Sequence, residues 1–183
     1  PDCDLSNEHV EHEYDFVITK DLLITTRYEK IAGPGRLSNT FSTESFFEKA
    51  HPVESSGHLF VHIVKELYKN SLDELEDIND SLKEIEKNIF SGKQSKMVEE
   101  ISKTNRRFVN FKQVLRHHEE ILNSFRDIGA EIFGNYFKHN LTLLKSEYNR
   151  VRNTLEIGRE ILSDLRITND SILNTKTNQT VKT

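Results

Sequence analysis

Three long stretches of this chain repeat their apolar residues every three or four positions, the spacing that puts them on one face of an α-helix. The first begins near Ser55 or Ser56, either of which can cap a helix, and runs through Leu75, Ile78, Leu82, Ile85 and Ile89. That strict 3-4-3-4 spacing predicts a single coiled-coil-like seam. Ser91-Gly92-Lys93 ends it. A second helix is predicted from about Gln94 to Asp127, with Met97, Ile101, Phe108, Phe111, Leu115, Leu122 and Phe125 facing inward. The tight Ser-Gly turn makes the two antiparallel, a hairpin with arms of roughly 35 residues. The third runs from about Tyr136 to Thr183 through Phe137, Leu141, Leu144, Tyr148, Val151, Leu155, Leu162 and Leu165, with no proline and one glycine, Gly158. Such a helix would be roughly 70 Å long, so it needs neighbours along its length. Its last turns become polar, yet no capping glycine or breaker follows. This ending predicts a piece of a longer, oligomeric protein.

The N-terminal part has a different period. Tyr14-Asp-Phe-Val-Ile-Thr19 and Leu22-Leu-Ile-Thr-Thr-Arg-Tyr28 are rich in β-branched and aromatic residues and flank a Lys20-Asp21 turn, which predicts a β-hairpin. A lone two-stranded ribbon is marginal, so it should be the edge of a larger sheet, some of it upstream of Pro1. Gly33-Pro34-Gly35 reads as a turn, and Thr43 to Lys49 as a short helix ended before His51-Pro52. Strands first and three long helices after make the fold class α+β: a partial sheet, a long antiparallel αα-hairpin and a very long C-terminal helix.

Charge sharpens this picture. The chain carries a net charge of −5, which argues against a nucleic-acid binder. Seven acids (Asp73, Glu74, Glu76, Asp77, Asp80, Glu84, Glu86) and one base, Lys83, lie between residues 73 and 86. From Tyr136 onward eight Lys or Arg face five acids. The acidic helix could pair with the basic one, present a solvated face, or collect hard divalent cations such as Mg2+ with water kept in the shell. No apolar run is long enough to span a membrane. The chain does not begin with Met, which predicts that its start is also a boundary. Cys3 alone excludes an internal disulfide.

His58 and His62 stand one helical turn apart, but no third ligand is marked, so they read as ordinary half-exposed histidines. His117 and His118 are adjacent and face different directions. His9 and His12 lie among Glu8, Glu11 and Glu13, a conceivable but unremarkable surface cation site. There is no phosphate loop, nucleophile elbow or paired-carboxylate motif, so nothing argues for an enzyme. One pattern stands out at the end of the chain. Asp164, Ile167, Ser171, Asn174 and Asn178 step by three and four and therefore share a helix face.

Several phrases resemble the CorA family of divalent-cation transporters. Asp15 to Tyr28 is similar to the hairpin near the end of that family's cytosolic α/β domain. Leu75 to Phe90, then Arg106-Arg107-Phe108 and Val114-Leu115-Arg116, resemble its long antiparallel helix pair. Leu173-Asn-Thr-Lys-Thr-Asn-Gln-Thr-Val-Lys182 resembles the segment ahead of the family's first membrane helix, where Asn174, Asn178 and Lys182 match and Val181 replaces a usual Met. The resemblance implies a homopentamer at the cell membrane, this chain lying on its cytoplasmic side. It implies residues 1–54 as the end of the α/β domain, 55–128 as the helix pair, and 129–183 as a stalk leading to a membrane segment. Residues of the Asn178, Asn174, Ser171, Ile167 and Asp164 face would line the axis, Asn178 matching a pore-facing asparagine of the family. Asp73, Glu74, Asp77, Asp80 and Asp170 are candidate carboxylates for sensing intracellular Mg2+. One departure is that no acid falls between Glu131 and Glu147, where half of an interprotomer metal site is expected. A relative carrying Zn2+, Co2+ or Ni2+ and a coiled-coil scaffold or adaptor are the alternatives.

Overall fold

The computed structural model describes residues 13–28 and 55–181, and the side chains of residues 15–26 and 55–179. The turn expected at Gly33-Pro34-Gly35, the short helix near Thr43, His9, His12 and Cys3 lie outside the described residues.

Strands β1 (Glu13–Ile18) and β2 (Leu23–Tyr28) form an antiparallel ribbon that pairs Val17 with Ile24 and Ile18 with Leu23. Its turn centres on Lys20-Asp21, as expected. The Thr19 N–H donates to the Leu22 carbonyl at 2.8 Å, and the Leu22 N–H to the Thr19 hydroxyl at 3.1 Å. Among the described residues no third strand joins it. Helical packing supports the ribbon: Phe16, Ile18 and Leu23 face the core, and Phe16 meets Phe60 edge-on at 5.3 Å. The Ser56 hydroxyl donates to the Thr19 carbonyl and, at 3.0 Å, approaches that of Lys20.

The helices follow the predicted seams with one correction. Helix α1 (Ser56–Phe90) starts at the extended Ser55, whose hydroxyl accepts the His58 N–H. It ends where Gly92 takes φ 94°, a conformation only glycine adopts without strain. The single second helix expected over 94–127 is two: α2 (Gln94–Leu115) and α3 (His118–Phe133). At the junction the Arg116 N–H reaches back only three residues, to the Gln113 carbonyl at 3.3 Å. No glycine or proline marks this site. The interruption falls beside His118, whose ring packs on Tyr68 and Tyr148, with Nδ1 3.0 Å from the Tyr68 hydroxyl. The seam continues across it, since Leu115 and Leu122 are both buried. Helix α3 ends at Gly134, with φ 86°.

Helix α4 (Asn135–Val181) has 47 residues. Tyr148 lies beside Tyr68 of α1 at 6.0 Å, and Gly158 faces both Asn79 of α1 and Phe108 of α2. Lys176 reaches Gln94 at the start of α2. Helix α4 therefore runs parallel to α1 and antiparallel to α2 and α3, in a three-helix bundle. Every apolar position assigned to its seam is buried: Phe137, Leu141, Leu144, Tyr148, Val151, Leu155, Leu162 and Leu165. The long helix finds neighbours within its own chain as far as Lys176. Two close approaches set the spacing. A methyl at Gly158 would stand 2.7 Å from the Phe108 ring, and one at Gly129 2.2 Å from Phe137.

Candidate functional site

The face of α4 away from the bundle carries the residues singled out by their spacing. Asp164, Ile167, Ser171, Asn174 and Asn178 are all exposed, while Leu162, Leu165 and Asn169 on the other side are buried. The helical period explains the division. Positions three and four apart stay on one side, so one seam fills the core and its opposite gets no neighbour from this chain. Asp170 is exposed too, but at 100° per residue it sits about 80° off the centre of that stripe.

Farther up α4 that side stays mixed: Glu160 is exposed at its centre, Ile157, 57% exposed, flanks it, and Ile161, 44% exposed, lies about 100° off, while Ile167, 65% exposed, falls within the stripe. Beyond Ile167 the stripe is polar. The Thr175 and Thr177 hydroxyls are spent on their own helix, donating to the Ser171 and Leu173 carbonyls at 2.9 and 3.0 Å. The amides of Asn174 and Asn178 make no such bond among the described residues, so their oxygens face solvent. A ring of such oxygens suits a hydrated divalent cation, which binds through its waters.

The acidic run forms the outward surface of α1. Asp73, Glu74, Glu76, Asp77, Asp80, Glu84 and Glu86 are exposed between the buried Leu72, Leu75, Ile78, Leu82 and Ile85. Asp73, Asp77, Asp80 and Glu84 recur every three or four residues and form one carboxylate stripe. Asp80 pairs with Lys83 at 2.7 Å. Among the described residues no three His, Cys, Asp or Glu gather to hold a metal within one chain. Three basic residues of α4 make ion pairs with α3: Arg152 reaches Glu119 at 2.9 Å, Lys145 reaches Glu119 at 3.5 Å, and Lys138 reaches Asp127 at 3.8 Å; Arg159 pairs within α4 with Glu156 at 2.8 Å.

Two histidines pack against neighbouring helices. His58 Nδ1 lies 3.2 Å from the Ser55 hydroxyl, and its ring packs on Tyr136. His118 is half-buried in the bundle, and that partial burial, reinforced by neighbouring His117, holds its pKa below the usual histidine range. Burial first, then Tyr148, pushes the Tyr68 phenol well above its usual range. Sequence reasoning missed Asn169, which is 1% exposed with neither amide atom hydrogen-bonded among the described residues. Its signal was present, because position 169 continues the 155-158-162-165 seam. Among the described residues no helix is long and apolar enough to cross a membrane.

No curated protein matches the chain in sequence. The family model of the CorA-like Mg2+ transporter protein matches residues 1–183, the whole chain. With its length matched throughout, and a hairpin followed by long helices in the order the resemblance implied, the chain belongs to the CorA-like Mg2+ transporter family.

Proposed function

We propose that this chain is the cytosolic regulatory part of a divalent-cation transporter, in which α4 is the stalk that leads to the membrane. In this reading residues 1–54 end an α/β domain, 55–128 form the helix pair and 129–183 the stalk. Five copies assemble around the outward face of α4. The observation that carries the reading is that face itself: Ile167, with Ile157 at its flank, lacks cover within the chain, and Ser171, Asn174 and Asn178 follow. Exposed isoleucines along a long helix favour association with another surface. Symmetric copies would cover it and bring the amides into rings about the axis.

Mg2+ gives up its water shell reluctantly, so rings of amide oxygen would hold it through water and let it leave again. Sensing falls to carboxylates brought together from neighbouring copies, with Asp73, Glu74, Asp77 and Asp80 the first candidates and Asp170 a further one. Acids that do not converge within one chain can converge between two. Bound Mg2+ would favour the closed assembly through its higher affinity for that state, and falling Mg2+ would release it.

Sedimentation velocity of the chain in EDTA and in millimolar Mg2+ tests assembly and sensing together. A larger species with Mg2+ is expected, and the same mass in both conditions refutes cation-linked assembly. In the full-length protein, Asn178→Leu should change Mg2+-dependent growth of an uptake-deficient strain. Unchanged growth removes Asn178 from the ion path.

A further inference from the structure

The tip of the α1–α2 hairpin differs in charge and exposure from the shaft below it. Residues 87–96 read Lys-Asn-Ile-Phe-Ser-Gly-Lys-Gln-Ser-Lys, with three lysines and no acid, directly after the acidic run. Phe90, the last residue of α1, is 68% exposed, while Ile89 beside it is fully buried. Ile89 thus closes the core, and Phe90 extends past it into solvent. The side chains of Lys87 and Lys96 have no hydrogen-bond or ion-pair partner among the described residues. The Lys93 ammonium donates to the neutral Asn88 amide oxygen at 2.9 Å. No carboxylate forms an ion pair with these three lysines among the described residues, although Asp80 and Glu84 line one recess with Lys87 and Lys93.

The tip is also fixed in place. Gln94 is 4% exposed; its amide nitrogen donates to the Ile89 carbonyl, and its oxygen accepts from the Lys176 ammonium at 2.8 Å. These two bonds hold the hairpin end to the last turns of α4. From Lys176 to Val181 the helix rises only about 8 Å. The basic, aromatic tip is thus level with the end of α4 that, in the reading above, leads into the bilayer.

We propose that this tip is a membrane foot: Phe90 enters the interface of an anionic lipid leaflet, and Lys87, Lys93 and Lys96 bind its phosphates. The inference rests on the placement of α4 under "Proposed function". An amphipathic tip with one protruding aromatic and a basic rim suits the headgroup region, where apolar rings bury shallowly and lysines meet negative charge. A protein groove is more often met by several apolar side chains, and between Lys87 and Lys96 Phe90 is the one large apolar residue that is exposed. Through Gln94 and Lys176, a foot resting on the leaflet would set the height of the hairpin against the end of α4.

The chain contains no tryptophan, so Phe90→Trp gives a single tryptophan, at the tip, that can be excited apart from the tyrosines. Its emission should shift to the blue with vesicles that mix phosphatidylglycerol into phosphatidylcholine, and not with phosphatidylcholine alone. High salt should reverse the shift. Each replacement of Lys87, Lys93 or Lys96 by Gln should weaken vesicle binding roughly fivefold. A companion Val114→Trp probe, at an exposed site on the shaft, should not respond. No shift with anionic vesicles at low salt overturns the proposal, as does an equal shift with neutral vesicles or from position 114. Thermal unfolding confirms that each variant is folded. Mg2+ uptake by the full-length protein judges the transport reading separately: uptake without vesicle binding sinks the foot alone, and vesicle binding without uptake sinks the transporter alone.

Discussion

Replacing Gly158 by alanine sets two effects against each other, and the bundle decides between them. Gly158 lies inside the 47-residue α4, where glycine costs a helix about 1 kcal/mol relative to alanine. An isolated helix would therefore gain from the change. In the bundle the new methyl would stand 2.7 Å from Cζ and 2.9 Å from Cε1 of Phe108, and 3.0 Å from Oδ1 of Asn79. Phe108 is fully buried, so its ring has little room to move away. Overpacking of this kind costs roughly 1–3 kcal/mol, which leaves a net loss of about 1 kcal/mol once the propensity gain is subtracted. In a chain of this size that lowers the unfolding midpoint by roughly 2–4 °C. The assay is thermal unfolding followed by far-ultraviolet circular dichroism, with Phe108→Leu and the double variant completing a cycle. Truncating the ring should relieve the clash, giving a favourable coupling of about 1 kcal/mol between the two changes. A higher midpoint for Gly158→Ala, or strictly additive effects, would refute the close approach of α1, α2 and α4 at this layer.

Asn169→Leu should raise the midpoint by several degrees, because an unpaired buried polar group costs about 1–3 kcal/mol and leucine removes two of them; a lower midpoint in calorimetry would mean that the amide is satisfied. Acidification should destabilise the fold through His118, whose pKa is lowered by burial. The unfolded chain takes up a proton near the ordinary histidine value of about 6.5 and the folded chain resists it, so stability is lost as pH falls below that value. Tyr68, Tyr148 and Glu119 surround or adjoin this ring, and His118→Gln should flatten the midpoint between neutral and mildly acidic pH; an unchanged slope would place the pH dependence elsewhere. Mg2+ at millimolar concentration should raise the midpoint over EDTA, since a ligand of the native state stabilises it by mass action. An identical midpoint in the two buffers removes cation binding from this part of the protein.

Much of the architecture was legible along the chain. The buried sets 75–89, 97–122 and 137–165 could be read from period alone, because a helix packed on one side must repeat its apolar residues every three or four positions. The hairpin turn at Lys20-Asp21 and the Ser55 cap were equally local, each set by residues a few positions apart. The outward stripe from Asp164 to Asn178 was legible as the complement of the buried seam. Other features needed the tertiary structure. The break at Arg116–His117 has no glycine or proline to announce it; it stands where His118 packs against Tyr68 and Tyr148 from two other helices. Gly158, the one glycine of the long helix, is the socket for Phe108. Asn169, which falls in the last turns that become polar, is buried. The link between Gln94 and Lys176, distant in sequence, exists only once α4 lies against the hairpin tip. Period records which side of a helix avoids water, whereas the choice of partner across the core depends on side chains that meet only after the helices have packed.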